Sequence, residues 1–199
     1  MSYADKITIY QGDCAILLGR RSQFSYYIKE FASLVGVGSR GLDLGAGPGG
    51  CNSVFFDLTS LDGCDAEPEV VNSLPVQLYN KKFLYRLGKD KLPYSDNTLD
   101  FVICSCVIQH LSSEQELKEG LKEIYRVLKP GGFLYLMYKV GTHDTLLTHY
   151  NSYYNQERTF RVFSPTQVDE STDLKLIKSE YLLDENYIPY SCDLYQKSI

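Results

Sequence analysis

Seven of the chain's fifteen glycines (Gly36, Gly38, Gly41, Gly45, Gly47, Gly49 and Gly50) crowd into fifteen consecutive positions, and the run Leu42-Asp43-Leu44-Gly45-Ala46-Gly47-Pro48-Gly49-Gly50 sets an apolar segment directly against them. An apolar strand that breaks into glycines and then enters a helix turns backbone N–H groups and the positive end of a helix dipole toward a bound group that is anionic or rich in acceptors. Gly45, Gly47 and Gly50 satisfy G-x-G-x-x-G, and Asp65 stands twenty residues after Gly45, where an acidic side chain accepts from both ribose hydroxyls. On those residues alone the chain reads as a nicotinamide-dependent dehydrogenase. Asp43 argues against that reading. A carboxylate inside the strand end is costly to half-bury unless a cationic or hydrogen-bonding ligand is near, and a pyrophosphate has the wrong charge for it. A ligand carrying an ammonium group suits it better.

The rest of the chain alternates helical and strand patterns. Phe24, Tyr27, Ile28, Phe31, Leu34 and Val35 recur at spacings of three and four, which predicts an amphipathic helix over 22–35 ending at Gly36. A strand is expected at 40–44, a short helix at 49–58, a strand ending near Asp65, and a short helix opened by Pro68 and closed by Pro75. Segments 82–87 and 99–106 read as strands; Ser113 and Glu116 form a capping-box pattern ahead of a helix that Pro130-Gly131-Gly132 stops; Phe133 to Val140 is an apolar strand. Strands separated by helices imply right-handed crossovers and a mostly parallel, doubly wound α/β sheet. The tail differs: strand-like segments near 173–182 and 188–197 are joined by too few residues for a crossover helix, so they form an antiparallel C-terminal hairpin at one edge.

With 199 residues, 44% hydrophobic, the chain is expected to be one domain, 1–199, with 1–36 as an N-terminal helical cover and 141–170 as an insertion on the substrate side. A net charge of −5 gives no global field for a phosphate backbone, and no basic block compensates. The N-terminus lacks the charged and apolar regions of a signal peptide and no run approaches 18 apolar residues, so a cytoplasmic protein without a membrane span is expected. Six scattered cysteines and three histidines offer no tetrahedral ligand spacing; no metal site is expected.

Two later segments narrow the reading further. Leu92-Pro93-Tyr94-Ser95-Asp96-Asn97-Thr98-Leu99-Asp100-Phe101-Val102-Ile103-Cys104-Ser105, followed by Gln109-His110-Leu111, resembles the third-to-fourth-strand region of class I S-adenosylmethionine-dependent methyltransferases, and Arg126-Val127-Leu128-Lys129-Pro130-Gly131-Gly132-Phe133 looks like that family's turn into its fifth strand. The resemblance covers roughly 38–140 and is nearest to the methyltransferase type 11-like subgroup, in which LPF-x-D-x-x-FD and LKPGG recur. It implies a seven-stranded Rossmann-like sheet and S-adenosyl-L-methionine as cofactor, with S-adenosyl-L-homocysteine as product. By that likeness Gly45, Ala46, Gly47 and Gly49 shape the loop against the methionine part, Asp43 orients its amino group, Asp65 with Ala66 holds the ribose, and Ser105 and Cys106 border the methionine and the acceptor. Many relatives carry an Asp where this chain has Gly88; either Asp90, beside Lys89, takes over at the adenine edge, or backbone groups do.

Methyl transfer is an in-line displacement at a sulfonium carbon and needs no metal and no covalent enzyme intermediate. An amine or hydroxyl acceptor must lose a proton, which invites a base titrating near working pH. His110 is a candidate, though a histidine there equally serves as a structural hydrogen-bonder. Tyr138, His143 and Asp144 lie at or beyond the end of the fifth strand, where open α/β sheets bind ligands; the alternative is a polar surface loop. The aromatic stretch 150–163 reads as a lid or as a helix packed on the sheet. The expected acceptor is a small polar molecule, with a nucleic acid or protein acceptor left open. A catalytically silent cofactor-binding relative, acting as sensor or partner of another methyltransferase, is the alternative of a different class.

Overall fold

The predicted amphipathic spacing near the N-terminus forms α1 (Ser22–Leu34), which buries Ile28 and Phe31. The structure, a computed structural model, describes residues 22–47, 52–53, 56, 60–151, 156–183 and 187–199. The N-terminal arm before Ser22, Gly49 and most of the helix expected at 49–58 lie outside the described residues; Asn52 and Ser53 form a single 3-10 turn within that span.

Five parallel strands follow: β1 (Gly41–Leu44), β2 (Leu61–Asp65), β3 (Lys82–Leu84), β4 (Leu99–Ser105) and β5 (Leu128–Lys139). Between β2 and β3 runs α2 (Pro68–Ser73), opened by its proline as expected, and between β4 and β5 runs α3 (Glu114–Val127). After β5 come an antiparallel hairpin, β6 (Thr145–Asn151) with β7 (Gln156–Val162), a short α4 (Pro165–Asp169), and the tail strands β8 (Lys175–Leu183) and β9 (Pro189–Gln196). The seven-stranded order is β3-β2-β1-β4-β5-β9-β8, with β9 antiparallel to β5 and β8 antiparallel to β9. A dinucleotide-binding sheet runs 3-2-1-4-5-6; here the tail hairpin instead places its second strand between β5 and the edge.

Strands buried on both faces read as nearly continuous apolar runs, and Leu99–Ser105 does so. One face packs Leu42, Leu44, Val102, Leu134 and Leu136 against Leu117, Leu121 and Ile124 of α3; the other packs Phe101, Ile103 and Tyr135 against Ile28 and Phe31 of α1 and against Phe56. Phe56 stacks on Phe101 with centroids 5.2 Å apart, and Phe31 stacks on Tyr135 at 5.4 Å.

Several boundaries differ from expectation for physical reasons. The third strand stops at Leu84 because the chain turns at Arg86–Asp90, whose N–H groups at 89 and 90 return to the Arg86 carbonyl. The capping box at α3 is half formed: Ser113 accepts from the Glu116 N–H, but the Glu116 carboxylate accepts from Ser112 instead of closing on the N-cap. Pro130-Gly131-Gly132 lies within β5, one turn past the helix end at Val127. Among the described residues the aromatic stretch 150–163 is strand and not helix, with Tyr150 and Asn151 ending β6. Gln156–Val162 form β7, paired to β6 in a register that sets Thr148 opposite Thr159, with their hydroxyls 2.7 Å apart.

The C-terminal tail also closes α3. Lys197, 8% exposed, donates from Nζ to Asn97 Oδ1 and to the Tyr125 and Leu128 carbonyls, each at 2.8 Å, over the Tyr125 ring. It therefore satisfies helix-end carbonyls that α3 leaves unpaired. Lys197→Met is expected to cost about 2 kcal/mol, since charged hydrogen bonds contribute roughly 1.5–3 kcal/mol and the substitution orphans buried acceptors. Urea denaturation measures it, and a loss below about 0.5 kcal/mol, the level of an ordinary surface change, contradicts the capping role.

Candidate functional site

Where β1 ends, Gly45 and Gly47 take φ values of +69° and +66°, the left-handed region that a side chain rarely enters. A Cβ at Gly45 would lie 2.3 Å from Val107 Cγ2, so the chain leaving β4 is pressed against the turn; a Cβ at Gly47 would meet nothing within 4 Å. The Ala46 N–H donates to the Cys64 carbonyl at 2.9 Å, and the Gly47 N–H to Asp65 Oδ2 at 3.1 Å. The turn is thus strapped to the neighbouring strand β2 as well as to its own.

Two carboxylates flank it. Asp43 is wholly buried; its Oδ2 accepts from the Tyr79 hydroxyl at 2.7 Å and its Oδ1 from Asn52 Nδ2 at 3.1 Å. Burial pushes its pKa up to about 6, against the pull of those two hydrogen bonds. Asp65, half-buried at the end of β2, also accepts from the Glu67 N–H at 3.1 Å; burial raises its pKa, and the backbone donors of Glu67, Gly47 and Ala66 oppose the rise. Ala46 is buried beneath the turn and Ala66 is exposed beside it.

Parallel register places the exits of β1 and β4 side by side, with Leu44 opposite Cys104 and Ser105 opposite Met137 of β5. Directly after Ser105, Cys106 holds φ at +61° while its N–H donates to the Met137 carbonyl at 2.7 Å. A non-glycine residue in that conformation carries strain of about 1–3 kcal/mol, which concentrates at functional sites. Gly45, Gly47, Ser105 and Cys106 therefore sit at the crevice where the sheet changes direction, the ligand position in open α/β folds.

The 3-10 turn Ile108–His110 continues from there. The exposed His110 ring stands edge-on to Phe160 of β7, with centroids 5.4 Å apart at 61°. Lys139, buried at the end of β5, lies with Nζ 4.8 Å from the Phe160 centroid and 4.6 Å from that of Tyr190, and its N–H donates to the buried Gln109 side chain. Arg161 anchors the β6–β7 hairpin over this end: it pairs with both oxygens of Asp144 and donates to the Ser112 carbonyl at 2.7 Å.

Other candidates lie elsewhere. Strand alternation turns Tyr138 onto the α3 face, where its ring is fully buried among core side chains and burial beside Asp193 pushes its pKa up. His143 is exposed in the turn before β6, with Nδ1 2.9 Å from the Thr142 hydroxyl. Asp90 is held by Arg86, which donates from its backbone N–H at 2.8 Å and from its guanidinium to both oxygens; Lys89 pairs with Glu116 at 3.3 Å. Tyr79, Asn52 and Tyr190 carry no local signal that sequence reading could use; Phe160 is visible only as one of the aromatic residues of 150–163, and Lys139 only as one of the residues at the end of an apolar strand.

Fold and site together define a doubly wound α/β domain whose glycine turn is flanked by two carboxylates, Asp43 and Asp65. Residues 42–136 match the family model of a methyltransferase domain. That match, the curated relatives and the structural neighbours together support a class I S-adenosylmethionine-dependent methyltransferase. The chain is similar to an uncharacterized methyltransferase of Mycobacteroides abscessus, 34% identical over an alignment of 129 positions that covers 58% of this chain and 48% of that protein. The chain spans about half the length of the curated relatives it matches. Among solved structures, a TehB-like SAM-dependent methyltransferase from Corynebacterium glutamicum superposes with a TM-score of 0.69 at 15% identity, over 98% of this chain and 100% of that one. The 1,6-didemethyltoxoflavin-N1-methyltransferase of Burkholderia thailandensis, solved with 1,6-didemethyltoxoflavin and S-adenosylhomocysteine, does so with 0.63 at 14%, over 100% and 92%. At those identities the likeness establishes the fold.

Proposed function

We propose that the protein transfers a methyl group from S-adenosylmethionine to a nitrogen or oxygen of a small polar acceptor. The observation that carries this reading is the pair of carboxylates on neighbouring parallel strands, Asp43 buried beneath the glycine turn and Asp65 beside it. The residues present fit the donor. Asp65 accepts from the ribose diol, the left-handed glycines admit the aminoacyl group close to the backbone, and Asp43 supplies a negative field for its ammonium. Because Asp90 is engaged by Arg86, backbone groups of the Gly88–Asp90 turn are assigned to the adenine edge.

When bound, the donor supplies an electrophilic methyl on a sulfonium. The chain's part is to place and dry the reactants, and holding nucleophile, methyl and sulfur in line is worth roughly 7–11 kcal/mol of the barrier. Ser105 and Cys106 form the wall between donor and acceptor. The insertion 141–170, pinned by Arg161, brings Phe160 against His110, which makes His110 the base candidate and the hairpin the acceptor's cover. A small heterocyclic acceptor in the Burkholderia structural neighbour is consistent with an acceptor of that size.

Calorimetric titration with S-adenosylhomocysteine tests the reading: binding is expected, and none at millimolar concentration refutes it. With labelled donor and a panel of small amines and phenols, His110→Ala is expected to lower kcat about a hundredfold, the lower range of general-base effects, with donor affinity unchanged. His143→Ala, in an exposed turn, is expected to stay within about twofold, as surface changes do. Full turnover by the His110 variant removes that histidine from the chemistry.

A further inference from the structure

Tyr79 belongs to the loop between α2 and β3, outside the elements that form the glycine turn, yet its hydroxyl passes beneath β1 to Asp43 Oδ2 at 2.7 Å. Its ring is buried and lies against Gly63 of β2, where a Cβ would come within 2.8 Å of it. On the other oxygen sits Asn52, part of the chain that returns from the turn. One carboxylate thus joins three segments: the strand that enters the turn, the limb that leaves it, and a loop thirty-six residues away in sequence.

The groups facing Asp43 among the described residues are Tyr79, Asn52, Asp65, and the thiols of Cys64 and Cys104. Burial holds both thiols protonated, and Asp65 is of like charge. Asp43 therefore keeps its charge through hydrogen-bond donors, and because it is wholly buried, solvent does not replace a donor that is lost.

We propose that Tyr79 is a positioning residue of the donor site: it aims the Asp43 carboxylate at the aminoacyl end of the donor and, through Asp43 and Asn52, sets the far limb of the glycine turn. The inference rests on the methyl-donor reading above. Its consequence is that donor affinity depends on a hydroxyl that does not touch the donor, and that this dependence is carried by the protonation of Asp43.

The test is calorimetric titration of the full chain with S-adenosylhomocysteine between pH 5 and pH 8.5, with a thermal melt at each pH. Affinity of the unmodified protein is expected to decline on the acid side around pH 6, where buried Asp43 takes up a proton. Tyr79→Phe retains the ring against Gly63 and removes only the donor. It is expected to bind about tenfold more weakly at pH 7, with its acid limb moved up by about one pH unit, the size of one hydrogen bond to a charged group. Asn52→Ala, which removes the opposite donor, is expected to move the limb in the same direction. In an Asp43→Asn background the limb is absent and adding Tyr79→Phe changes nothing further. A Tyr79→Phe protein with unaltered affinity and limb overturns the inference while leaving the donor reading in place; failure of the unmodified protein to bind at all overturns the donor reading instead.

Discussion

Asp65→Ala is expected to weaken binding of S-adenosylhomocysteine about a hundredfold or more while leaving the melting temperature nearly unchanged. In the proposed complex the ribose diol donates twice to this carboxylate, and hydrogen bonds to a charged group contribute roughly 1.5–3 kcal/mol each; about 2.7 kcal/mol is a hundredfold. The fold bears the loss because Asp65 does not stabilise it at neutral pH. Burial raises its pKa above the unfolded value. A carboxyl with a raised folded pKa contributes stability that is full below the unfolded pKa and is lost as pH rises through the folded one. Asp43, raised from 3.8 to about 6, and Asp193, raised by burial against the pull of its hydrogen bonds from Ser179 and Ser191, act in the same direction. The contribution of these three carboxyls to the stability of the unliganded protein is therefore expected to fall between about pH 4 and pH 6, against the opposite contribution of the lowered carboxyls Asp100, Glu116 and Glu123, and bound donor to compensate above that window. Calorimetry with a parallel thermal melt checks both halves. Unchanged affinity in Asp65→Ala places the ribose elsewhere, and a large drop in melting temperature makes Asp65 a structural residue.

How much of this was legible in the sequence depended on whether the cause was local. The strand, the left-handed glycines and the two carboxylates of the turn lie within about twenty residues, and their geometry follows from backbone sterics and burial. The two later motifs were legible as a resemblance, and the structure supplies their physics. Arg126 donates to the Leu92 and Tyr94 carbonyls and pairs with Asp96 and Glu123, while Lys129 pairs with Asp100. The first motif is thereby clamped to the second and to the C-terminal turn of α3. What the sequence did not disclose is non-local. Tyr79 reaches Asp43, His110 meets Phe160, and Lys139 sits beside Tyr190 across separations of 36, 50 and 51 positions. The aromatic residues between 150 and 163 suit a packing helix as well as a lid, and the pairing of β6 with β7 excludes the helix among the described residues. Tyr138 was assigned to the acceptor side from its place at a strand end. Strand alternation, a shift of one residue, puts Tyr138 in the core and Lys139 on the opposite face, against Phe160 and Tyr190.

Gly88→Ala is expected to cost about 3–5 kcal/mol, a large part of the roughly 5–15 kcal/mol that holds a domain together. Gly88 stands where the backbone leaves no room for a side chain. Its φ is +77°, and a Cβ would lie 2.3 Å from the Glu116 carbonyl oxygen and 2.8 Å from the Glu116 Cα, both backbone atoms of α3. The left-handed conformation alone costs an alanine roughly 1–2 kcal/mol. Overpacking adds about 1–3 kcal/mol, and more where the obstacle is helix backbone that moves only by shifting α3. Gly131 isolates the two contributions, because it has nearly the same φ, +79°, but a Cβ there would approach only Ile199, at 3.9 Å. Gly131→Ala should therefore show the conformational cost alone, and the difference between the two variants reads the clash. The same displacement moves the Gly88–Asp90 turn, so in Gly88→Ala donor affinity is expected to fall together with stability, whereas in Gly131→Ala it is unchanged. Urea denaturation of both variants, with donor-product titration of each, gives the comparison; equal losses in the two would show that α3 yields freely and that the absent side chain at 88 has no steric cause.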